Sequence, residues 1–365
     1  MRVFLCLLFC LPVCLGKLFP QKSVDTVAAP HSRNAGFLVL PVISYAKESS
    51  VAFGTAANLT YQVKGDTNIR ASYANLYGYY SLKKQYRISL ENMVYLPGEK
   101  YILRSFISAG RFPDKFWGVG NKTHKNPEES FSLSFYNVYF HLQKKLFPKL
   151  FAGLVYNYQK ASSVVFIPSQ LFDKQIVGKH GYHVSGAGVS ISYDSRNKSF
   201  WPYRGALYQV ITTFYNPALG SKYSFVNYAL DARKFIRTFG SQVLALRAYG
   251  LFNSGKRIPL RSLGALGGCD NLRGYYEGRF RDKNALSLQL EYRVPVYGRF
   301  AVVGFAGVGD VASRMKEIDG RDMKKSFGGG LRYSLSKKER MNIRFDYGFG
   351  DAKNRGYYVV FGEAF

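Results

Sequence analysis

The residues best suited to chemistry in this chain are one arginine and the carboxylate that follows it. Arg273 lies in Leu266-Gly267-Gly268-Cys269-Asp270-Asn271-Leu272-Arg273-Gly274-Tyr275, inside a stretch from about 254 to 283 that is glycine-rich at 264–268. Such a stretch turns sharply, because glycine carries no Cβ. Glu291 sits on the polar face of Leu286-Ser287-Leu288-Gln289-Leu290-Glu291-Tyr292-Arg293-Val294. A guanidinium and a carboxylate facing each other in a confined space can form a bidentate, charge-assisted pair. That chemistry is electrostatic. Arg273 either pins its loop or takes part in a moving contact, and the residues alone leave both open.

The other candidates do not assemble a catalytic or metal site. Tyr193-Asp194-Ser195-Arg196-Asn197, with Pro202 and Gly205 downstream, reads as a turn. Asp231, Asp346 and Glu291 alternate with apolar neighbours, as wall-lining residues do. His31, His124, His141, His180 and His183 are scattered, and the pair His180-x-x-His183 has no third ligand nearby. Gly328-Gly329-Gly330 lacks the Lys-Ser/Thr of a phosphate loop. Asn58-Leu59-Thr60 and Asn121-Lys122-Thr123 match sequons of a kind that arise by chance. The expectation is no enzyme, no metal and no cofactor.

The elements around these residues are strands. In Asn342-Ile343-Arg344-Phe345-Asp346-Tyr347-Gly348-Phe349, apolar and polar residues alternate with period two. The stretch 226–233 and the strand of Glu291 repeat the pattern. Aromatics make up 16% of the chain, with 29 Tyr and 29 Phe against 2 Trp, which suits strands and membrane-interface girdles. A soluble sandwich points its apolar face inward, whereas a membrane barrel points it to lipid and keeps the polar face for the lumen. Charges recur on the polar face strand after strand, so the expected fold is all-β: a transmembrane antiparallel barrel. About sixteen strands are expected, near 36–46, 51–63, 67–80, 84–96, 100–112, 129–144, 149–161, 181–195, 204–216, 222–236, 241–253, 284–295, 299–312, 325–335, 340–350 and 356–365. Phe345, Tyr347, Leu288 and Leu290 should face lipid, and Arg344, Asp346, Gln289 and Glu291 the lumen. A barrel suits lipid because it leaves no backbone edge unpaired.

The start of the chain reads as an export signal. Met1-Arg2 precedes an apolar run, Val3–Leu15, and small residues at Cys14 and Gly16 suit cleavage before Lys17. The run is too short to span a membrane as a helix. The expected organisation is a signal peptide at 1–16, a short leader at 17–34 and a barrel domain at 35–365. A lipoprotein reading on Cys14 fits less well, since bulky Val13 stands where a small residue is wanted. Three of the four cysteines fall in the signal segment, so the mature chain is expected to keep Cys269 alone. The net charge is +28. Its lysines and arginines are spread over turns and strands without a compact basic block, which favours lumen, loops and anionic lipid headgroups over nucleic acid.

The stretch around Arg273 resembles the Val-Arg-Gly-Phe/Tyr loop of the BamA/TamA superfamily of outer-membrane barrels. Asp194-x-Arg196 with Pro202 and Gly205 is similar to that family's Asp-x-Arg turn. Phe116-Trp117-Gly118-Val119-Gly120-Asn121 resembles its Phe-x-Gly-x-Gly-Asn loop. Glu291-Tyr292-Arg293-Val294-Pro295, Gly328–Arg332 and the aromatic Phe365 follow the same order. The resemblance implies that the long loop folds back into the lumen and sets Arg273 against Glu291. It implies a second acid on the following strand, where Gly307 stands instead. It implies that aromatic residues of the last strand, Phe361 and Phe365, serve as the assembly signal. Larger members carry periplasmic POTRA domains, for which 17–34 leaves no room, so periplasmic or lipoprotein partners and the outer-membrane assembly machinery are the expected contacts. Pro41, inside the first strand, has no N–H to give a ladder and marks the expected seam. The implied functions are protein assembly or translocation, a barrel subunit of an envelope complex, or a passive pore.

Overall fold

A computed structural model of the protein describes residues 36–46, 50–61, 72–82, 84–123, 129–166, 176–198, 201–318, 320–334 and 342–365. The expected signal segment and the leader lie outside these residues.

The strands run in chain order as β1 (Gly36–Ala46), β2 (Ser50–Tyr61), β3 (Ser72–Ser81), β4 (Tyr86–Tyr95), β5 (Tyr101–Phe116) and β6 (Glu129–Phe147). Next come β7 (Leu150–Phe166), β8 (Tyr182–Asp194), β9 (Gly205–Tyr215), β10 (Phe225–Arg237), β11 (Val243–Ser254) and β12 (Gly264–Leu266). The last six are β13 (Phe280–Asp282), β14 (Asn284–Tyr297), β15 (Phe300–Ala312), β16 (Lys324–Ser334), β17 (Asn342–Gly350) and β18 (Arg355–Phe361). Sixteen of them form one sheet in sequence order from β1 to β18, and β12 and β13 pair separately. Every paired neighbour is antiparallel, as short connections require.

The two faces of the sheet separate as the alternation demands. Leu288 and Leu290 are 45% and 42% exposed, whereas Gln289 and Glu291 between and beyond them are 6% and 0% exposed. Phe345 and Tyr347 are exposed, and Arg344 and Asp346 are fully buried. The apolar face is therefore the open one and the polar face the enclosed one. That is the reverse of a soluble sandwich.

Several strand ends differ from the sequence expectation; β7 continues to Phe166, five residues beyond its expected end at 161. β5 continues to Phe116, four residues beyond the expected end, so the Phe116–Asn121 motif starts on a strand. The last strand stops at Phe361 and does not run to Phe365. Gly362 takes a left-handed φ of 81° and gives its N–H to the Asn342 carbonyl at 2.7 Å. The chain then leaves the ladder. Ala364 and Phe365 are buried against Phe235, Val243 and Ala245 on the enclosed face. Burial of a phenyl ring there replaces the exposed position a continuing strand would have offered.

Candidate functional site

The site is assembled by the connection 255–283. Its hairpin, with Gly264 opposite Asp282 and Leu266 opposite Phe280, brings the two arms of the loop together. The tip between them carries the arginine motif. The N–H of Gly267 bonds the Asn271 carbonyl at 3.0 Å, and that of Gly268 bonds the Tyr275 carbonyl at 3.1 Å, which tightens the tip. Leu266, Leu272, Tyr275 and Phe280 form an apolar cluster with Ala285 of β14 and Val311 of β15. The loop thus has an apolar core shared with the sheet.

Glycines in the wall make room for it. A Cβ on Gly307 would lie 3.3 Å from Leu272 Cδ1, and one on Gly348 would lie 2.9 Å from the Arg273 carbonyl carbon and the Gly274 nitrogen. A Cβ on Gly350 would strike the Tyr275 ring. Gly274 itself has φ of 110° and lies so close to β17 that a Cβ would sit 2.6 Å from the Phe349 carbonyl carbon. Only glycine meets both conditions.

Arg273 is 2% exposed and splits its two terminal nitrogens between two carboxylates. Nη2 lies 2.7 Å from Glu291 Oε1 on β14, and Nη1 lies 2.6 Å from Asp346 Oδ2 on β17. Its Cζ stands 3.5 Å from the centroid of the Phe305 ring. Burial opposes the charge on Arg273, but Glu291 and Asp346 more than offset it, and the guanidinium pKa is held above its ordinary value. Three further arginines complete the network. Arg293 donates from Nε to Glu291 Oε2 at 2.9 Å and from Nη2 to the Phe365 carbonyl at 2.9 Å. Arg332 joins Asp346 Oδ1 at 2.5 Å to Glu363 Oε2 at 2.8 Å. Arg344 bonds Asp270 Oδ1 at 2.6 Å and the Cys269 carbonyl at 3.1 Å. The carboxylates that hold the loop therefore also hold the segment after β18, through Arg293 and Arg332.

The backbone of the tip is fixed as well. Gly274 donates to the Tyr358 hydroxyl at 2.8 Å, and that hydroxyl donates to the Tyr275 carbonyl at 3.1 Å. The Tyr275 hydroxyl lies 2.8 Å from the Lys325 carbonyl and accepts the Asp351 N–H at 2.7 Å. Ser326 Oγ donates to the Arg273 carbonyl. Gln289 accepts the Leu272 N–H at 3.3 Å and donates to the Asp270 carbonyl at 3.2 Å.

Two sequence expectations are corrected here. The Arg273–Glu291 contact is forked with Asp346 and is not bidentate. The second acid comes from β17, three strands from β14 in the sheet, and not from β15. Gly307 stands on β15 because Leu272 occupies the space over it. The sequence places Arg344 and Asp346 on the inner face without assigning either to Arg273, and does not single out Arg293, Arg332 or Glu363. Their shared parity with Glu291 and Asp346 was the available signal; which strands meet the loop is a tertiary property.

The remaining candidates lie elsewhere. Arg196 grips Asp194 from Nε at 2.9 Å and from Nη2 at 2.8 Å, closing the turn before β9. Pro202 lies in that turn, and Gly205 ends it with φ of 101°. The Phe116–Asn121 motif meets the long loop: the Gly120 N–H bonds the Arg281 carbonyl at 2.8 Å, and Arg279 donates to Thr123 Oγ1 at 2.8 Å. Pro41 faces Thr55 of β2. The Phe361 side chain lies outside the described residues. Among the described residues no group of three or more metal-ligating side chains occurs.

A sheet of this size with an apolar outer face, an enclosed polar face and an arginine loop seated on it defines an outer-membrane barrel. Residues 53–365 match the Omp85 superfamily domain, and the chain belongs to that superfamily. It is a family of non-enzymatic membrane proteins. Solved structures agree in fold. BamA from Haemophilus ducreyi lacking POTRA domains 1–3 aligns with a TM-score of 0.57 at 14% identity, over 90% of this chain and 69% of that one. CdiB from Escherichia coli aligns with a TM-score of 0.58 at 11% identity, over 92% of this chain and 63% of that one. CdiB from Acinetobacter baumannii aligns with a TM-score of 0.56 at 10% identity, over 91% and 59%. The chain thus spans about three fifths of the CdiB proteins. No curated protein matches it in sequence.

Proposed function

We propose that this barrel handles polypeptide at the outer membrane, in the assembly of outer-membrane proteins or as the barrel subunit of an envelope complex. The loop around Arg273 narrows its lumen. β1 and β18 flank the seam at which strands exchange, with Pro41 weakening the pairing of β1. Substrate reaches it through periplasmic or lipoprotein partners. The observation that carries this reading is the double hold on Arg273. One guanidinium ties the loop to β14 and β17, and the same carboxylates tie down the segment that follows β18. A change at the seam is thereby felt at the loop. A passive pore needs no such connection.

Two measurements test it. In planar bilayers the purified protein should conduct little, and Arg273→Ala should conduct more. A pull-down from envelopes should recover outer-membrane or periplasmic proteins with the wild type. A large steady conductance in the wild type, with no retained protein, would establish the pore reading instead.

A further inference from the structure

The open face of the sheet is not uniform. Across β10, β11, β14, β15 and β16 it carries a groove of about 640 Å³. That is within the ~300–1,000 Å³ of small-molecule clefts. Its floor is made by residues with little side chain, Ala232, Ala248 and Ala306. Ala232 pairs with Ala248 across β10 and β11, so two adjacent strands are stripped at the same level. Leu246, Leu288, Leu290 and Phe327 stand around the floor as walls. All four walls are exposed and belong to the lipid-facing set. The groove is therefore a slot in the wall that faces hydrocarbon.

One end of the slot is polar in a way the rest is not. Lys234 lines it and is exposed, three residues before the end of β10. Tyr208 lines it beside Lys234 and stacks on Tyr193, with ring centroids 6.3 Å apart at 18°. Tyr292 follows Leu290 on the same face, and its hydroxyl lies 3.2 Å from Thr238 Oγ1 in the short turn after β10. Tyrosines and lysine at one level mark the headgroup plane, where rings lie half in lipid and an ammonium reaches water and phosphate. This level is at the short-turn end of the barrel, the end that faces the periplasm by the usual arrangement of such barrels.

We propose that this groove holds one acyl chain of an anionic phospholipid from the periplasmic leaflet, with its phosphate on Lys234. The alanine floor gives the chain a bed that Leu or Phe would fill. The ammonium supplies the charge complement at the level where the chain begins. Lys325 lines the opposite end, but no tyrosine belt accompanies it within the groove.

The test uses the full barrel purified from vesicles of phosphatidylglycerol and phosphatidylethanolamine in equal parts, with retained lipid read by native mass spectrometry. Wild type should retain phosphatidylglycerol selectively. Lys234→Gln should lose that selectivity while keeping heat-modifiable folded protein. Ala248→Phe should lose the retained lipid altogether, and Lys325→Gln should change neither. Retention without preference between the two lipids would overturn the proposal, as would a Lys234→Gln barrel as selective as wild type. Loss of selectivity on Lys325→Gln alone would place the lipid in the other leaflet and overturn it. A protein segment recovered in place of lipid and displaced by Ala248→Phe would overturn it too.

Discussion

The wall of β3–β8 and the wall of β10–β18 enclose their inner faces by different means. On the first, the described side chains fill space themselves. Tyr73, Tyr77 and Tyr79 are buried in a row on β3. Neutral pairs link its strands: Asn58 of β2 reaches Asn75 of β3 at 2.6 Å, and across β7 His141 and Gln143 of β6 reach Ser190 and Ser192 of β8, each at 2.7 Å. On the second, glycines such as Gly307, Gly348 and Gly350 leave space, and buried arginines and carboxylates surround it. A wall that completes itself uses aromatic bulk and neutral hydrogen bonds. A wall that receives another segment gives up bulk and offers charge, because buried charge is tolerated only when a partner arrives to pair it. The loop around Arg273 is that partner.

The comparison breaks most severely at Arg273. Arg273→Ala leaves Glu291 and Asp346 facing an empty place, and loss of one member of a buried pair costs about 3–5 kcal/mol. Equilibrium unfolding in detergent should show that loss. Exchanging Arg104, a half-exposed arginine on the first wall that pairs with Glu91 at 3.0 Å, should cost well under it. Equal losses would erase the distinction between the walls.

Phe365 probes the second wall from the other side. Its ring fills a cluster with Phe235, Val243 and Ala245, and Arg293 holds its carbonyl. Phe365→Ala should cost about 3–5 kcal/mol, and Phe365→Asp should reduce heat-modifiable, folded protein in the membrane. Normal yields of folded Phe365→Asp barrel would show that the segment after β18 contributes nothing to the wall.

The assignment of faces is sharper at a single strand. Leu288→Arg near the middle of the membrane should destabilise by about 2–4 kcal/mol. Leu246→Arg, on the adjacent strand of the same face, should behave alike. Tolerance of arginine at Leu288 would reverse the orientation of the sheet.

Gly348→Ala is the mildest of these changes and the most local. The added methyl meets Arg273 and Gly274 backbone at 2.9 Å, and overpacking of that order costs about 1–3 kcal/mol. Gly78→Ala on the first wall, whose Cβ would meet nothing nearer than 3.9 Å, should be close to neutral.

Much of this was legible in the residues. Period-two alternation around Glu291 and Asp346 gave the strands and their faces, because the side-chain period of a strand is fixed at two. The glycines before Arg273 marked a tight loop, and Glu291 stood on the correct face of the next long strand. Alternation could not say which distant strand completes the site. Asp346 lies 73 residues from Arg273, and the two meet because of sheet order and loop path. The inward turn at Gly362 was hidden for a related reason. The aromatic-rich run Tyr357–Phe361 continues in sequence to Phe365, and only the cluster around Phe235 reveals that the last residues leave the ladder.

Amide hydrogen exchange across residues 270–276 tests the central claim most directly, since it reports whether the loop backbone is held on the wall. In the wild type these amides should exchange as slowly as those of β14. In Arg273→Ala they should approach the rate of an open loop while β14 keeps its protection. Fast exchange of 270–276 in the wild type, or unchanged protection in Arg273→Ala, would contradict the account.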